Sequence, residues 1–347
     1  MSWLNTPVCG LLGVRYPIVQ TGMGWVSGAR LTAATAQAGG FGILAAVTLD
    51  PEAMVAAVRR VQQRTTRPFG VNLRPDQPDL AERITALAAE RVPVVSFAGG
   101  PPADVIGRLH DAGMLSVVTV GRPRHAEKML AAGVDVLLAQ GGEGGGHTGD
   151  IATSLLLPAV VDLAEGRVPV LAAGGFFDGR GLAAAIAWGA DGVAMGTRFL
   201  LTKESAVPDA VKQRYFASSL PDSVVSRALD GQPMRVLPNE ALAAAGPGRW
   251  RAARNAAKVR RITGQSWAEL AREGLSLRRR AGLSLAQLSR AADAPLLIRT
   301  ALVDGDPVHG VLPTGQVAGC IGDEPTVAQL IERIVAEAER AGRRLRD

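Results

Sequence analysis

Aromatic side chains are scarce in this 347-residue sequence, at 4%. The core must therefore be built from Ala, Val and Leu, within a hydrophobic share of 47%, and such residues suit layered strands and helices. Only two cysteines occur, Cys9 and Cys320, and neither sits in a partner motif. That excludes a disulfide framework and a cysteine-rich zinc site, and the expectation is a reducing cytoplasm. No run reaches the roughly 18 apolar residues of a membrane span, so none is expected. The opening Met1-Ser2-Trp3-Leu4-Asn5-Thr6-Pro7 has neither a basic stretch nor a long apolar one, and no secretory signal is expected. Metal-ligating residues do not cluster.

Charge is also uneven. The net charge is +6, but residues 201–300 carry 17 Lys+Arg against 8 Asp+Glu, a local +9 that leaves the remainder at about −3. A basic block attracts phosphate, whether on nucleic acid or on a small anionic ligand, and it can equally be a solvated helix face. Zinc-finger spacing and aromatic RNA-binding signatures are both missing, so nucleic acid is not expected as a partner.

What is present is a rhythm. Apolar runs occupy 17–20, 41–46, 68–73, 92–97, 115–120, 134–139, 168–173 and 192–195, with helix-like stretches between them. Asp50-Pro51, an N-cap followed by a proline at the first helical position, opens one of these helices. The runs are continuous rather than alternating, as in parallel strands buried on both faces. Eight strand–helix units in about 200 residues predict an α/β fold, a (β/α)8 TIM barrel. A doubly wound sheet is the alternative, but Gly22-Met23-Gly24 does not fit a dinucleotide-binding glycine motif. Past Gly196 the pattern turns helical and basic. The expected division is 1–204 for the barrel, 205–310 for a helical domain beside its mouth, and 311–347 for a return segment with a closing helix.

Barrel chemistry sits where the strands end. Those ends carry Gly22, Met23 and Gly24, then Asn72, Gln140, Gly174 with Gly175, and Gly196 with Thr197. They hold no carboxylate pair and no cysteine nucleophile. After the sixth strand comes the glycine-rich run from Gln140 to Asp150, QGGEGGGHTGD, which contains His147. Glycines after the last two strands suit a phosphate, and the two amides suit the mixed edge of a heterocycle. Flavin mononucleotide (FMN) is the economical cofactor. His147 is then the candidate catalytic acid/base, because the flavin carries the redox chemistry and the protein supplies position and a proton. His110 and His125 fall on outer helices, and His309 lies in the return loop.

These residues resemble a known family. Gln20-Thr21-Gly22-Met23-Gly24, Phe69-Gly70-Val71-Asn72, the glycine loop with His147, Ala172-Ala173-Gly174-Gly175, Met195-Gly196-Thr197-Arg198-Phe199 and Pro313-Thr314-Gly315-Gln316 are similar to the nitronate monooxygenase-like flavoproteins. The resemblance covers nearly the whole chain. It implies FMN, a barrel with a smaller helical domain, a histidine near the flavin at His147, and cofactor contacts at Gly22, Met23, Gly24, Asn72, Gln140, Gly174, Gly175, Gly196, Thr197 and Gln316.

QTGMGWVSGA, QGGEGGGHTG, AAGGFFDGRGLAA and AMGTRFLLT look like one branch, the flavin reductases acting on CoA thioesters in actinobacterial steroid C- and D-ring degradation. Typical nitronate oxidisers usually carry a proline just before the methionine, where this chain has Gly22. The run Thr148-Gly149-Asp150 after His147 is a second departure.

The leading expectation is reduction of an α,β-unsaturated, ring-bearing acyl-CoA with NAD(P)H as donor. The same constellation run backwards is a dehydrogenase. Nitronate oxidation and an enoyl-thioester reductase are the alternatives. Lys258, Arg260, Arg261, Arg278, Arg279 and Arg280 are candidate contacts for the CoA phosphates. Homo-oligomerisation is left open.

Overall fold

The eight apolar runs all become strands, and they close on themselves. A computed structural model describes residues 2–245 and 285–344. The barrel strands are β1 (Ile18–Gln20), β2 (Phe41–Ala45), β3 (Gly70–Leu73), β4 (Val94–Phe97), β5 (Leu115–Val120), β6 (Val136–Gln140), β8 (Val170–Ala173) and β9 (Gly192–Met195). All neighbours pair in parallel, and β9 returns to β1 with Val19 opposite Ala194. This is a TIM barrel.

Helices α1 (Pro7–Leu12), α2 (Ala29–Gln37), α3 (Pro51–Gln62), α4 (Leu80–Ala89), α5 (Ala103–Asp111), α6 (Pro123–Ala131), α7 (Thr153–Ala164) and α8 (Gly179–Ala187) precede the last barrel strand. Then follow α9 (Thr197–Leu200), α10 (Asp209–Phe216), α11 (Glu240–Ala244), α12 (Leu285–Leu302) and α13 (Val327–Arg344). Asp50 caps α3 as its sequence signal predicts, its Oδ1 accepting from Ala53 N at 2.7 Å.

Burial on both faces explains the unbroken apolar runs. Inside the barrel, Val19, Phe41, Ile43, Val94, Val117, Leu138 and Leu171 form one cluster. Val8 and Leu12 of α1 join it, so α1 plugs the end where the strands begin. Outside, the opposite strand faces pack on the helices. α1 is absent from the sequence reading because it is six residues long and holds Gly10. Its signal, Thr6 before Pro7 at the helix start, is nonetheless present.

The eighth helix of the ring is supplied late. α13 packs against α8 and α2 and completes the outer layer. A Cβ on Gly179 would lie 2.2 Å from Ile334 O, so glycine lets α8 and α13 touch backbone to backbone. Asp323 clasps this region: Oδ1 accepts from the buried Arg198 at 2.8 Å, and Oδ2 from Arg333 at 2.6 Å. The Arg333 hydrogen bond leads in holding the Asp323 carboxyl below its ordinary value, against an upward push from burial. The folded value lies below the unfolded one. The clasp therefore contributes fully above the ordinary aspartate value of about 3.9 and fades as pH falls through Asp323's own value. Asp323→Asn is expected to lower stability in denaturant titrations at pH 7, with the gap to wild type narrowing as the pH falls below the ordinary aspartate value of about 3.9.

Residues 205–310 are expected to be helical, and here the structure differs. β10 (Val224–Ser226) and β11 (Met234–Leu237) form within this stretch. With β12 (Leu312–Pro313) and β7 (Gly146–His147) they make a small antiparallel sheet. Strands of two to four residues leave too short a pattern to read in sequence. Lys258, Arg260, Arg261, Arg278, Arg279 and Arg280 lie outside the described residues.

Candidate active site

The predicted residues converge on the end of the barrel where the strands finish, and close backbone approaches explain why so many are glycine. A Cβ on Gly22 would lie 2.4 Å from Asn72 Cβ, so the β1 and β3 ends meet only without one. Gly196 faces Thr21 Oγ1 and Met23 Sδ at 3.2 and 3.3 Å from its would-be Cβ. Gly174 has φ +86° and Gly175 φ +87°, in the left-handed region that favours glycine. Ser27, missed in the sequence, pins the turn after β1: its Oγ accepts from Met23 N at 2.9 Å and donates to Thr21 O at 2.8 Å.

The glycine loop is held on several sides. Glu143 accepts from Thr153 N at 3.1 Å and lies 2.7 Å from Thr153 Oγ1, which is also 2.9 Å from Gly174 O. Arg235 of β11 donates through Nε and Nη2 to Gly142 O at 3.1 and 2.9 Å. Burial pushes the Arg235 guanidinium down from its ordinary value, and Glu143 opposes this. The late loop docks on top: Gln316 N donates to Glu143 O at 2.9 Å, and Gly315 N to Thr197 Oγ1 at 2.8 Å. Buried Tyr215 donates to Pro313 O at 2.8 Å and anchors that loop from behind.

His147 stands on β7, paired with Met234 of β11. Its ring is 58% exposed, and its Nε2 lies 2.6 Å from Oδ2 of Asp230, which is 14% exposed. Burial raises the Asp230 carboxyl, but the hydrogen bonds from His147 and from Gln232 N outweigh it and hold the group below its ordinary value. The other histidines lie elsewhere. His110 pairs with Asp135, His125 is on α6, and His309 pairs with Asp306 in an exposed loop.

One strained residue borders the site. Trp25 has φ +66°, an outlier for a bulky side chain. The Arg299 guanidinium of α12 lies 5.9 Å from its ring centroid.

Does this constellation suit the flavin implied by the resemblance? Among the described residues, no protein acceptor meets the backbone N–H of Gly175 or Gly196, which leaves two donors for a phosphate. Asn72 commits its amide nitrogen to Ser96, donating to Oγ at 2.9 Å, and keeps Oδ1 to accept from a ligand. Gln140 Nε2 instead donates to His147 O at 3.0 Å, so that end of the amide shapes the loop. Donors for a phosphate beside an acceptor for a ring N–H are what an FMN requires. No group of three or more His, Cys, Asp or Glu among the described residues could hold a metal.

Comparison with known proteins agrees with this architecture. A family model described as nitronate monooxygenase matches residues 5–337. The chain belongs to the nitronate monooxygenase family. It is an oxidoreductase. A Mycobacterium tuberculosis relative, "(3aS,4S,5R,7aS)-5-hydroxy-7a-methyl-1-oxo-octahydro-1H-indene-4-carboxyl-CoA dehydrogenase", is 49% identical over 341 residues, covering 96% of both chains. The nitronate monooxygenase of Pseudomonas aeruginosa is 34% identical over 66% of this chain and 78% of its own. Among solved structures, FabK from Thermotoga maritima superposes with TM-score 0.79 at 33% identity, covering 99% of this chain and 98% of that one.

Proposed function

We propose that this member of the nitronate monooxygenase family is an FMN-dependent oxidoreductase acting on the Cα–Cβ bond of a fused-ring acyl-CoA. One observation carries the reading: the glycine loop at the barrel mouth carries an imidazole, His147, in a chain 49% identical to an enzyme named for an indene-carboxyl-CoA. Gly175, Gly196 and Thr197 would hold the FMN phosphate. Gly22, Met23, Gly24, Gly174 and Asn72 would line the ring, with Gln140 and Gln316 shaping the loops around it. The bound cofactor supplies two-electron exchange with the substrate's β-carbon.

His147 handles the proton on the α-carbon, which the thioester acidifies. It removes that proton in dehydrogenation and returns it in reduction. Backbone N–H groups of the glycine loop polarise the thioester oxygen. The relative's name gives the oxidative direction of this couple, and NAD(P)H would serve the reductive one. The basic block with Lys258, Arg260, Arg261 and Arg278 to Arg280 would meet the CoA phosphates, as part of a substrate domain at 205–310.

Nitronate oxidation is the second reading, favoured by the Pseudomonas relative. An anaerobic titration separates them. The FMN-loaded protein is mixed in separate cuvettes with a saturated fused-ring acyl-CoA, NADH, NADPH and an alkyl nitronate. Bleaching of the flavin band by the acyl-CoA or a nicotinamide, but not by nitronate, is expected. Bleaching by nitronate alone overturns the proposal.

A further inference from the structure

An imidazole has two nitrogens, and in His147 one is already committed. We propose that Asp230 is a positioning residue that fixes His147 as the Nε2–H tautomer, so that Nδ1 is the atom that takes and returns the substrate's α proton. This rests on the proton role given to His147 above and adds the residue that sets it up. An ionised carboxylate only accepts hydrogen bonds, so the 2.6 Å contact places the proton on Nε2. A neutral imidazole carries a single N–H, and Nδ1 therefore keeps its lone pair.

Asp230 is built for this task in ways an incidental surface carboxylate is not. It lies in the loop between β10 and β11, within a turn closed by Gly231 N donating to Arg227 O at 3.1 Å. Its second oxygen, Oδ1, accepts from Gln232 N at 2.9 Å, which fixes the carboxylate plane. The His147 side is equally constrained. His147 pairs with Met234, and Thr148 N donates to Pro233 O at 3.1 Å. Backbone ties thus flank the dyad and hold the two residues on neighbouring segments, within reach of each other. His110–Asp135 and His309–Asp306 show that a histidine–carboxylate pair alone means little. Only the His147 pair stands at the glycine-built mouth among the described residues.

The step balances. In the oxidative direction the Cα–H bond breaks and its proton passes to Nδ1. The electron pair left on Cα becomes the π bond to Cβ, while an FMN held by Gly175, Gly196 and Asn72 would supply the acceptor for the hydride lost from Cβ. The imidazolium formed on His147 faces the Asp230 carboxylate through Nε2–H, which stabilises it. In reduction the same proton returns from Nδ1 to Cα.

The test compares Asp230→Asn, Asp230→Glu and wild type, all flavin-loaded. An amide in place of the carboxylate no longer selects one tautomer. Asp230→Asn is expected to lower kcat by roughly 10- to 10³-fold while KM and bound flavin stay within about twofold, and Asp230→Glu to recover most of the loss. A 15N spectrum of histidine-labelled enzyme, assigned with His147→Gln, is expected to show a protonated Nε2 in wild type and a tautomer mixture in Asp230→Asn.

A wild-type spectrum with the proton on Nδ1 overturns the proposal, as does an Asp230→Asn enzyme with unchanged kcat. Loss of flavin in parallel with activity would assign Asp230 a merely structural role, and also overturns it. Failure of the broader reading looks different: full turnover in His147→Ala removes the proton role itself, whatever Asp230 does.

Discussion

His147→Ala is expected to keep its FMN and lose turnover by about 10²- to 10⁴-fold, the range spanned by a positioned general acid or base. The two halves of that expectation come from different parts of the site. The proposed seat for the cofactor uses backbone at Gly175 and Gly196 and side chains at Asn72 and Thr197, and none of these bonds to the imidazole. The contacts of His147 run outward, through Nε2 to Asp230 and through its own carbonyl to Gln140. Truncation at Cβ leaves the carbonyl in place, so the loop keeps its shape. Flavin absorbance after gel filtration checks retention, and turnover of the acyl-CoA checks the chemistry. Flavin lost along with activity would mean that the imidazole is a structural part of the seat.

Gly145→Ala is expected to do the opposite. A Cβ there would lie 2.5 Å from both Gly315 N and Thr314 C, and 2.9 Å from Thr314 O. All three are backbone atoms, which cannot rotate aside as a side-chain tip can. The late loop would have to lift, breaking Gln316 N to Glu143 O and Gly315 N to Thr197 Oγ1. Losing two such bonds together with the packing removes roughly 3 kcal/mol from the ordered site, or about 10²-fold in FMN affinity. Fluorescence titration of the apoprotein with FMN measures it. Gly107→Ala on α5 is the control, since its Cβ would meet nothing within 4 Å. Alanine there is expected to leave FMN affinity unchanged and to favour the helix by about 1 kcal/mol.

The barrel was legible because burial on both faces writes each strand as an unbroken apolar run, as in Val94–Phe97 and Val170–Ala173. The glycine positions were legible for a related reason. Gly22, Gly174 and Gly196 sit where backbone passes so close to backbone or side chain that a Cβ does not fit comfortably. What stayed hidden depends on distant partners. β7 is two residues long and exists as a strand only because Met234 and Arg235 arrive beside it. Val224 and Val225 on the edge strand β10 are exposed, so no burial pattern marks them. Asp230 lies 83 positions from His147, and no local spacing could connect them. Gln140, expected as a cofactor contact, ends β6, and its amide nitrogen serves the loop backbone.

The sheet that joins β7 to β11 and β12 has a consequence for how the protein is made. Every barrel strand has left the ribosome once Met195 emerges, but Asp230 and the loop at Gly315 follow later. Contacts of such long sequence separation form late, because the intervening chain must first be ordered. A nascent or prematurely terminated chain can thus hold a nearly complete barrel while lacking the carboxylate partner, the covering loop and the helix that closes the outer ring. Such a chain would have its seat uncovered and His147 without its partner carboxylate.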